Sequence, residues 1–215
     1  MAKHFSLDLY LVTDRALCGE RSVESVVGEA VAGGVNIVQL REKHCSTREF
    51  IDLAGRIKAL LAPYGVPLII NDRLDVALAV DADGLHVGQK DIAAATARRL
   101  LGRNKILGLS VESVLDVRAA DLHLLDYISA SPIYFTPTKT DCSRELGLAG
   151  LRLVRALTDL PLVAIGGLNA ANIAPVIEAG ADSVAVVSAI CAAPDPQAAA
   201  ADLAALIRDA KDART

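Results

Sequence analysis

Short apolar, β-branched runs recur about every 25 to 30 residues along this chain, and several stop abruptly at charged residues or glycine. Ile37-Val38 leads into Gln39-Leu40-Arg41-Glu42-Lys43, and Leu68-Ile69-Ile70 into Asn71-Asp72. Leu162-Val163-Ala164-Ile165 leads into Gly166-Gly167, and Val184-Ala185-Val186 into Val187-Ser188. This cadence constrains the fold more than any single motif. Strands buried on both faces read as unbroken apolar runs, and parallel strands need a long return, usually a helix. Strands are predicted at Leu9 to Val12, Val35 to Leu40, Pro67 to Ile70, Gly84 to Val87, Ile106 to Leu109, Tyr127 to Ala130, Leu162 to Ile165 and Ser183 to Val186.

Between them, apolar spacing of three and four predicts helices over Ser22 to Ala32, Thr47 to Leu61, Ala93 to Leu101, Leu148 to Leu157, Ala170 to Ala179 and Gln197 to Ala210. Shorter helical patterns cover Asp72 to Val80 and Ser113 to Ala120. Ser46 or Thr47 is suited to cap the helix that follows, with Glu49 in its first turn, and Asn169 to cap the one ending at Gly180. The repeating β-then-α order implies a parallel sheet. Eight such units in 215 residues favour closure into an α/β single-domain (β/α)8 TIM barrel spanning 1–215 over an open doubly wound sheet. In a barrel, side chains at the carboxyl ends of the strands converge on one face, so residues distant in sequence share a pocket.

Composition agrees with that interior. Apolar residues make up 53% of the chain and aromatics only 3%, with no Trp, which suits aliphatic strands under Ala-rich helices and weakens any case for stacking on nucleic acid. The net charge of −4, from 22 basic and 26 acidic residues, is too balanced to recruit DNA or an anionic membrane, so any anion must be caught by a local cluster. Cys18, Cys45, Cys142 and Cys191 are widely spaced with no CxxC pair. Reduced thiols in a soluble, cytoplasmic protein are expected, with no run near the roughly 18 apolar residues of a membrane helix.

Four clusters fall at predicted strand ends. If the pleat persists, Gln39, Arg41 and Lys43 point to one side and Leu40 and Glu42 to the other, giving one face an amide and two cations suited to a diphosphate on a polar ring. A solvated strand end with an ion pair to Glu42 is the plainer alternative. Asn71-Asp72 and Asp91 follow adjacent strands and offer two carboxylates to a hard cation such as Mg²⁺, or simply caps for the next helices. Gly166-Gly167 and Val187-Ser188 follow the seventh and eighth strands, where many barrels bind phosphate with backbone N–H groups, although a tight turn alone would also explain the glycines.

Thr136-Pro137-Thr138-Lys139 is the fourth cluster, two hydroxyls around a stiff proline and then an ammonium, in the longest predicted loop, Ser131 to Gly147. Ser110 follows the fifth strand without an evident His-Asp relay and is read as a binding residue. His4, His44, His86 and His123 lack metal-ligand spacing, so zinc chemistry is disfavoured, and His86, at a strand end, is read as a structural histidine ahead of the alternative of a pocket residue. Together the clusters imply two phosphorylated groups in one pocket, a metal-assisted diphosphate and a monophosphate, with no strong covalent nucleophile between them. Departure of pyrophosphate and capture of the exposed carbon by a phosphorylated acceptor fit that set.

At this point the chain resembles the thiamine-phosphate synthase family. The resemblance is carried by Tyr10-Leu11-Val12-Thr13-Asp14, Gln39 to Lys43, Asn71-Asp72-Arg73, Gly84-Leu85-His86-Val87-Gly88-Gln89 with Asp91, Thr136 to Lys139, Ala164-Ile165-Gly166-Gly167 and Val187-Ser188, in order along nearly the whole chain. It implies a transferase that joins hydroxymethylpyrimidine diphosphate to a thiazole phosphate, releasing pyrophosphate, and carbon dioxide from the carboxylated thiazole. By position it implies that Gln39, Leu40, Arg41, Glu42, Lys43, Asn71, Ser110 and Lys139 contact the pyrimidine diphosphate, with Arg41, Lys43, Ser110 and Lys139 assisting the chemistry. Asp72 and Asp91 would hold Mg²⁺, and Thr136, Pro137, Thr138, Gly167, Val187 and Ser188 the thiazole phosphate. A homodimer is compatible with the resemblance.

Two departures stand out. Ser129-Ala130-Ser131-Pro132-Ile133-Tyr134-Phe135 replaces a glycine-rich run common before the Thr-Lys loop, and Lys90 precedes Asp91 where relatives often carry an acid. Two other readings compete: a related barrel that only aromatises the thiazole, which needs no diphosphate clamp, and a non-catalytic phosphate-ligand sensor, for which no output segment is evident.

Overall fold

The computed structural model describes residues 5–136 and 145–214. Eight parallel strands close into a barrel in sequence order: β1 (Leu9–Val12), β2 (Ile37–Leu40), β3 (Leu68–Asn71), β4 (Gly84–Val87), β5 (Ile106–Val111), β6 (Tyr127–Ala130), β7 (Leu162–Ile165) and β8 (Ser183–Val186). Closure is made by β8 on β1, with Val184 opposite Leu9 and Val186 opposite Leu11. The helices between them are α1 (Val23–Ala32), α2 (Thr47–Leu61), α3 (Leu74–Ala79), α4 (Ala94–Leu101), α5 (Val114–Ala119), α6 (Gly147–Arg155), α7 (Ile173–Glu178), the short α8 (Ser188–Cys191) and α9 (Pro196–Arg214). The predicted (β/α)8 barrel is the observed one, and β5 extends through Ser110 to Val111 beyond its predicted end.

Alternation along the strands separates two cores. Outward side chains such as Leu9, Leu11, Val38, Leu40, Leu68, Ile70, Leu85 and Leu107 meet the helices in one aliphatic shell. Inward side chains, Tyr10, Val12, Ile37, Ile69, Ile106, Tyr127, Val163 and Ala185, fill the lumen, with Phe5 and Leu7 beneath. Helix α2 shows how sequence sets this packing. Ser46 accepts from Glu49 N while the Glu49 carboxylate accepts from Ser46 N, a capping box that starts the helix where expected. Its buried residues, Phe50, Leu53, Ala54, Ile57 and Leu61, then recur at helical spacing. Removing the Phe50 ring would leave a cavity costing about 3 to 5 kcal/mol.

Asn169 does not cap a helix as expected. Its side chain accepts from Ala171 N and its own N–H bonds Asn172 Oδ1, closing a turn that delays α7 to Ile173. At the amino-terminal end of the barrel a device recurs that the sequence reading passed over. Asn36, Asp83, Asp126 and Asp182 each stand one residue ahead of an even-numbered strand, and each accepts a backbone N–H from the odd-numbered strand before it or its approach: Asp8 N, Leu68 N, Leu107 N and Leu162 N, respectively. Two of these carboxylates also bind helix arginines, Arg98 to Asp126 at 2.6 Å and Arg155 to Asp182 at 2.8 Å. The base is thus a fourfold ring of pegs. Among the described residues, no helix is long and apolar enough to cross a membrane.

Candidate active site

The carboxyl ends of the strands surround a cavity of about 580 Å³, within the range of small-molecule sites. Strand β2 brings Gln39 to its wall, and Arg41 and Lys43 follow from the same face, as the pleat predicted. Leu40 is fully buried in the outer shell, and the Glu42 carboxylate accepts from Arg15 at 3.0 Å. Neither Leu40 nor Glu42 lines the cavity, so three of the five residues in that run present side chains to it. One oxygen of Glu42 is buried without a hydrogen-bond partner.

The two cations rest on carboxylates. Arg41 Nη1 lies 3.5 Å from Asp14 Oδ2, and its backbone N–H donates to Thr13 Oγ1. Lys43 Nζ pairs with Asp72. An incoming anion would therefore compete for charges that are already held at the mouth.

Asn71 ends β3, and its side-chain amide donates to Asp72 Oδ1 at 2.8 Å. Asp72 continues the ladder by donating its N–H to His86 O, yet has φ +60, a left-handed conformation uncommon outside glycine and tolerated best by Asn and Asp. Such backbone persists where its surroundings enforce it, often at functional sites. Asp91 reaches back to accept from Gly88 N at 2.7 Å. Neither aspartate caps a helix, since Arg73 and Ala93 hold the N-cap positions of α3 and α4. The plainer reading of both residues as caps therefore fails.

Burial raises the Asp91 carboxyl above the usual carboxylate range, and contact with Asp72 adds to that rise against the opposing bond from Gly88. Two carboxylates that lean on each other fit a divalent cation as a partial shell, with ligand oxygens and water completing it. Among the described residues there is no group of three or more His, Cys, Asp or Glu placed to hold a metal alone.

Across the cavity the donors come mainly from the backbone. Gly167, at φ +67, leaves no room for a side chain: a Cβ there would lie 2.6 Å from Phe135 O and 2.9 Å from Tyr134 Cβ. Ile133 N and Tyr134 N donate to Ile165 O and Gly166 O, so the segment leaving β6 lies along the glycine pair and brings Thr136 to the cavity. Val187 and Ser188 complete that wall where α8 begins, and the first N–H groups of a helix have no intrahelical acceptor.

Ser110, Asn71, Asp72 and Asp91 line the cavity together with Thr136, Gly167, Val187 and Ser188. Pro137, Thr138 and Lys139 lie outside the described residues, as does Cys142. Cavity residues missed by the sequence reading include Tyr10, Gln89, Ser129 and Ser131, whose hydroxyl is buried and unpartnered. Alternation alone would have flagged Tyr10 and Ser129 as inward-facing. His86 lines the cavity, the less favoured of its two readings, with Nε2 2.8 Å from Ser110 Oγ.

A family model described as thiamine monophosphate synthase matches residues 9–190. The thiamine-phosphate synthase of Albidiferax ferrireducens is 54% identical over 203 residues, covering 94% of this chain and 92% of that protein. That of Xanthobacter autotrophicus is 53% identical over 211 residues, covering 98% and 100%. The structure of thiamine phosphate pyrophosphorylase from Pyrococcus furiosus superposes with a TM-score of 0.87 at 35% identity, covering 95% of this chain and 96% of that one.

Proposed function

The chain belongs to the thiamine monophosphate synthase family, a family of transferases, and on that premise we propose how its barrel mouth joins two phosphorylated heterocycles. The reaction is thiamine-phosphate synthesis. The C–O bond between the pyrimidine methylene and its diphosphate breaks, the bonding pair leaves with pyrophosphate, and the thiazole nitrogen supplies the pair for the new C–N bond. With a carboxylated thiazole, carbon dioxide is lost as well.

The observation that carries this reading is the division of one cavity into a charged wall and a backbone wall. On the charged wall Arg41 and Lys43 are assigned to the diphosphate oxygens, Arg41 as a fork and Lys43 as a point charge. Gln39, Asn71 and Ser110 are assigned to the pyrimidine side, and Lys139, by position in the family motif, to the leaving group. On the opposite wall Thr136, Gly167, Val187 and Ser188, with Pro137 and Thr138 by the same motif, are assigned to the thiazole phosphate. Leu40 and Glu42 keep a place in the pyrimidine site only as the frame that turns Gln39, Arg41 and Lys43 inward.

Asp72 and Asp91 would hold Mg²⁺, which when bound neutralises the negative charge that grows on departing pyrophosphate. Holding donor and acceptor in one enclosed well supplies proximity and keeps water from the exposed carbon. We further take residues 1–215 as one catalytic domain. The wide spacing of Cys18, Cys45, Cys142 and Cys191, with no CxxC pair, is in keeping with a reducing, cytoplasmic setting.

The test is incubation of the full chain with both phosphorylated substrates, with and without Mg²⁺, following thiamine phosphate and pyrophosphate. Stoichiometric appearance of both products that depends on Mg²⁺ is expected. Failure to form them from authentic substrates would reject the reading.

A further inference from the structure

A polar thread crosses the barrel lumen and connects two cavity residues on strands that are not neighbours. Gln39 Nε2 donates to Tyr10 Oη at 2.8 Å, and Tyr10 Oη lies 2.9 Å from Tyr127 Oη. Tyr127 Oη is 2.8 Å from His86 Nδ1, and His86 Nε2 is 2.8 Å from Ser110 Oγ. Gln39 and Ser110 open onto the cavity, while Tyr127 is fully enclosed and Tyr10 nearly so.

Each phenol has one proton to donate, so all links run the same way, and the Gln39 amide, donating through Nε2, sets which way that is. Tyr10 receives from the Gln39 amide and gives its proton to Tyr127. Tyr127 then gives its own to His86 Nδ1. A neutral imidazole that accepts at Nδ1 carries its hydrogen on Nε2 and donates to Ser110, whose hydroxyl proton is left to point into the cavity. Turning over the Gln39 amide would reverse every link and leave Ser110 showing only lone pairs. Any mixed arrangement would set two protons or two lone pairs against each other in a buried site, at about 1 to 3 kcal/mol.

The packing is shaped for this thread. At Gly108 on β5 a Cβ would fall 2.1 Å from Tyr127 Cζ and 2.4 Å from its Oη, so the glycine is the slot that holds the phenol. The His86 ring stacks on Tyr127 at 5.5 Å between centroids, and Tyr10 meets it edge-on at 6.0 Å. Burial holds both phenol pKa values above the ordinary tyrosine range, so each keeps the proton that the thread requires.

We infer that Tyr10, Tyr127 and His86 are positioning residues that set Gln39 as an acceptor and Ser110 as a donor toward the cavity, selecting a heterocycle with an N–H group at one edge and an acceptor atom at the other. The ligand assignment rests on reading this side of the cavity as the aminopyrimidine site. The proton order within the thread does not depend on it.

Nitrogen-15 NMR of the full chain labelled at histidine, without ligand, should show His86 protonated at Nε2, and Tyr127→Phe should shift it toward the other tautomer. In the same variant, KM for the pyrimidine diphosphate should rise about tenfold, equivalent to ~1.4 kcal/mol, while KM for the thiazole phosphate changes less than about twofold. Tyr10→Phe should give the same split, and serves if Tyr127→Phe does not fold. A wild-type His86 protonated at Nδ1, or equal changes in both KM values, would overturn the inference. If the wild type makes no thiamine phosphate, the functional reading fails, and the tautomer measurement alone decides the thread.

Discussion

The two ends of this barrel treat charge in opposite ways. At the base, the aspartates close onto backbone N–H groups and helix arginines, and Asp8 pairs with Lys211 from α9. At the mouth, Arg41 and Lys43 lean on Asp14 and Asp72 beside an open cavity, and Asp91 carries a carboxyl raised by burial and by its neighbour. Base charges are spent on the fold, whereas mouth charges are held in arrangements that a ligand can improve. This matches the general partition of such barrels, stability at the amino-terminal face and chemistry at the carboxyl-terminal one.

The sharpest way to break the comparison is to exchange the consequences of mutation. Asp72→Asn or Asp91→Asn at the mouth should lower kcat/KM by about 2 to 4 kcal/mol of transition-state stabilisation, with little loss of stability. Steady-state kinetics over a Mg²⁺ series, beside a thermal melt, checks both halves. At the base, Asp126→Ala removes the carboxylate that accepts from Leu107 N–H and pairs with Arg98, and should cost about 2 to 3 kcal/mol in stability, read from urea unfolding, with kinetic constants unchanged. Large kinetic effects from Asp126, or large unfolding effects from Asp72, would erase the contrast.

Gly167→Ala tests the backbone wall at the position that has no side chain to remove. The new Cβ meets Phe135 O and strains a positive φ, so about 2 kcal/mol of stability should be lost and KM for the thiazole phosphate should rise more than that for the pyrimidine diphosphate.

The smallest effect belongs to Asp8. Burial pushes its carboxyl up, but the bonds from Lys211 and Ser6 and the lysine charge outweigh that and hold it below the ordinary value. A depressed folded value contributes stability above the unfolded pKa of about 3.9, which is lost as pH falls through the folded one. Asp8→Asn should therefore cost about 1 kcal/mol or less near pH 7, and the gap from the parent should close in strongly acidic solution. Paired unfolding curves across pH would show it.

Strand positions were legible because their signal is local: a β-branched run, its alternation and an abrupt polar end. The same alternation correctly sorted Gln39, Arg41 and Lys43 from Leu40 and Glu42. Asn169 misled because a good capping side chain can as readily close a turn, and here it does. The base ring escaped notice because each peg looks like an ordinary loop residue until strand pairing reveals the N–H it meets. Tyr10, His86 and Tyr127 were illegible as a unit for a similar reason. They meet only through barrel closure and register, and a lone histidine gave no sign that two buried phenols would order its proton.

The packed lumen makes the well a cul-de-sac. With Tyr10, Tyr127 and the isoleucines of β2, β3 and β5 closing the bottom, the described residues leave the carboxyl-terminal mouth as the doorway that reactants and products share. Groups stacked along the barrel axis must then arrive deepest-first and depart shallowest-first, so the sequence of traffic is written into the depth at which each portion sits.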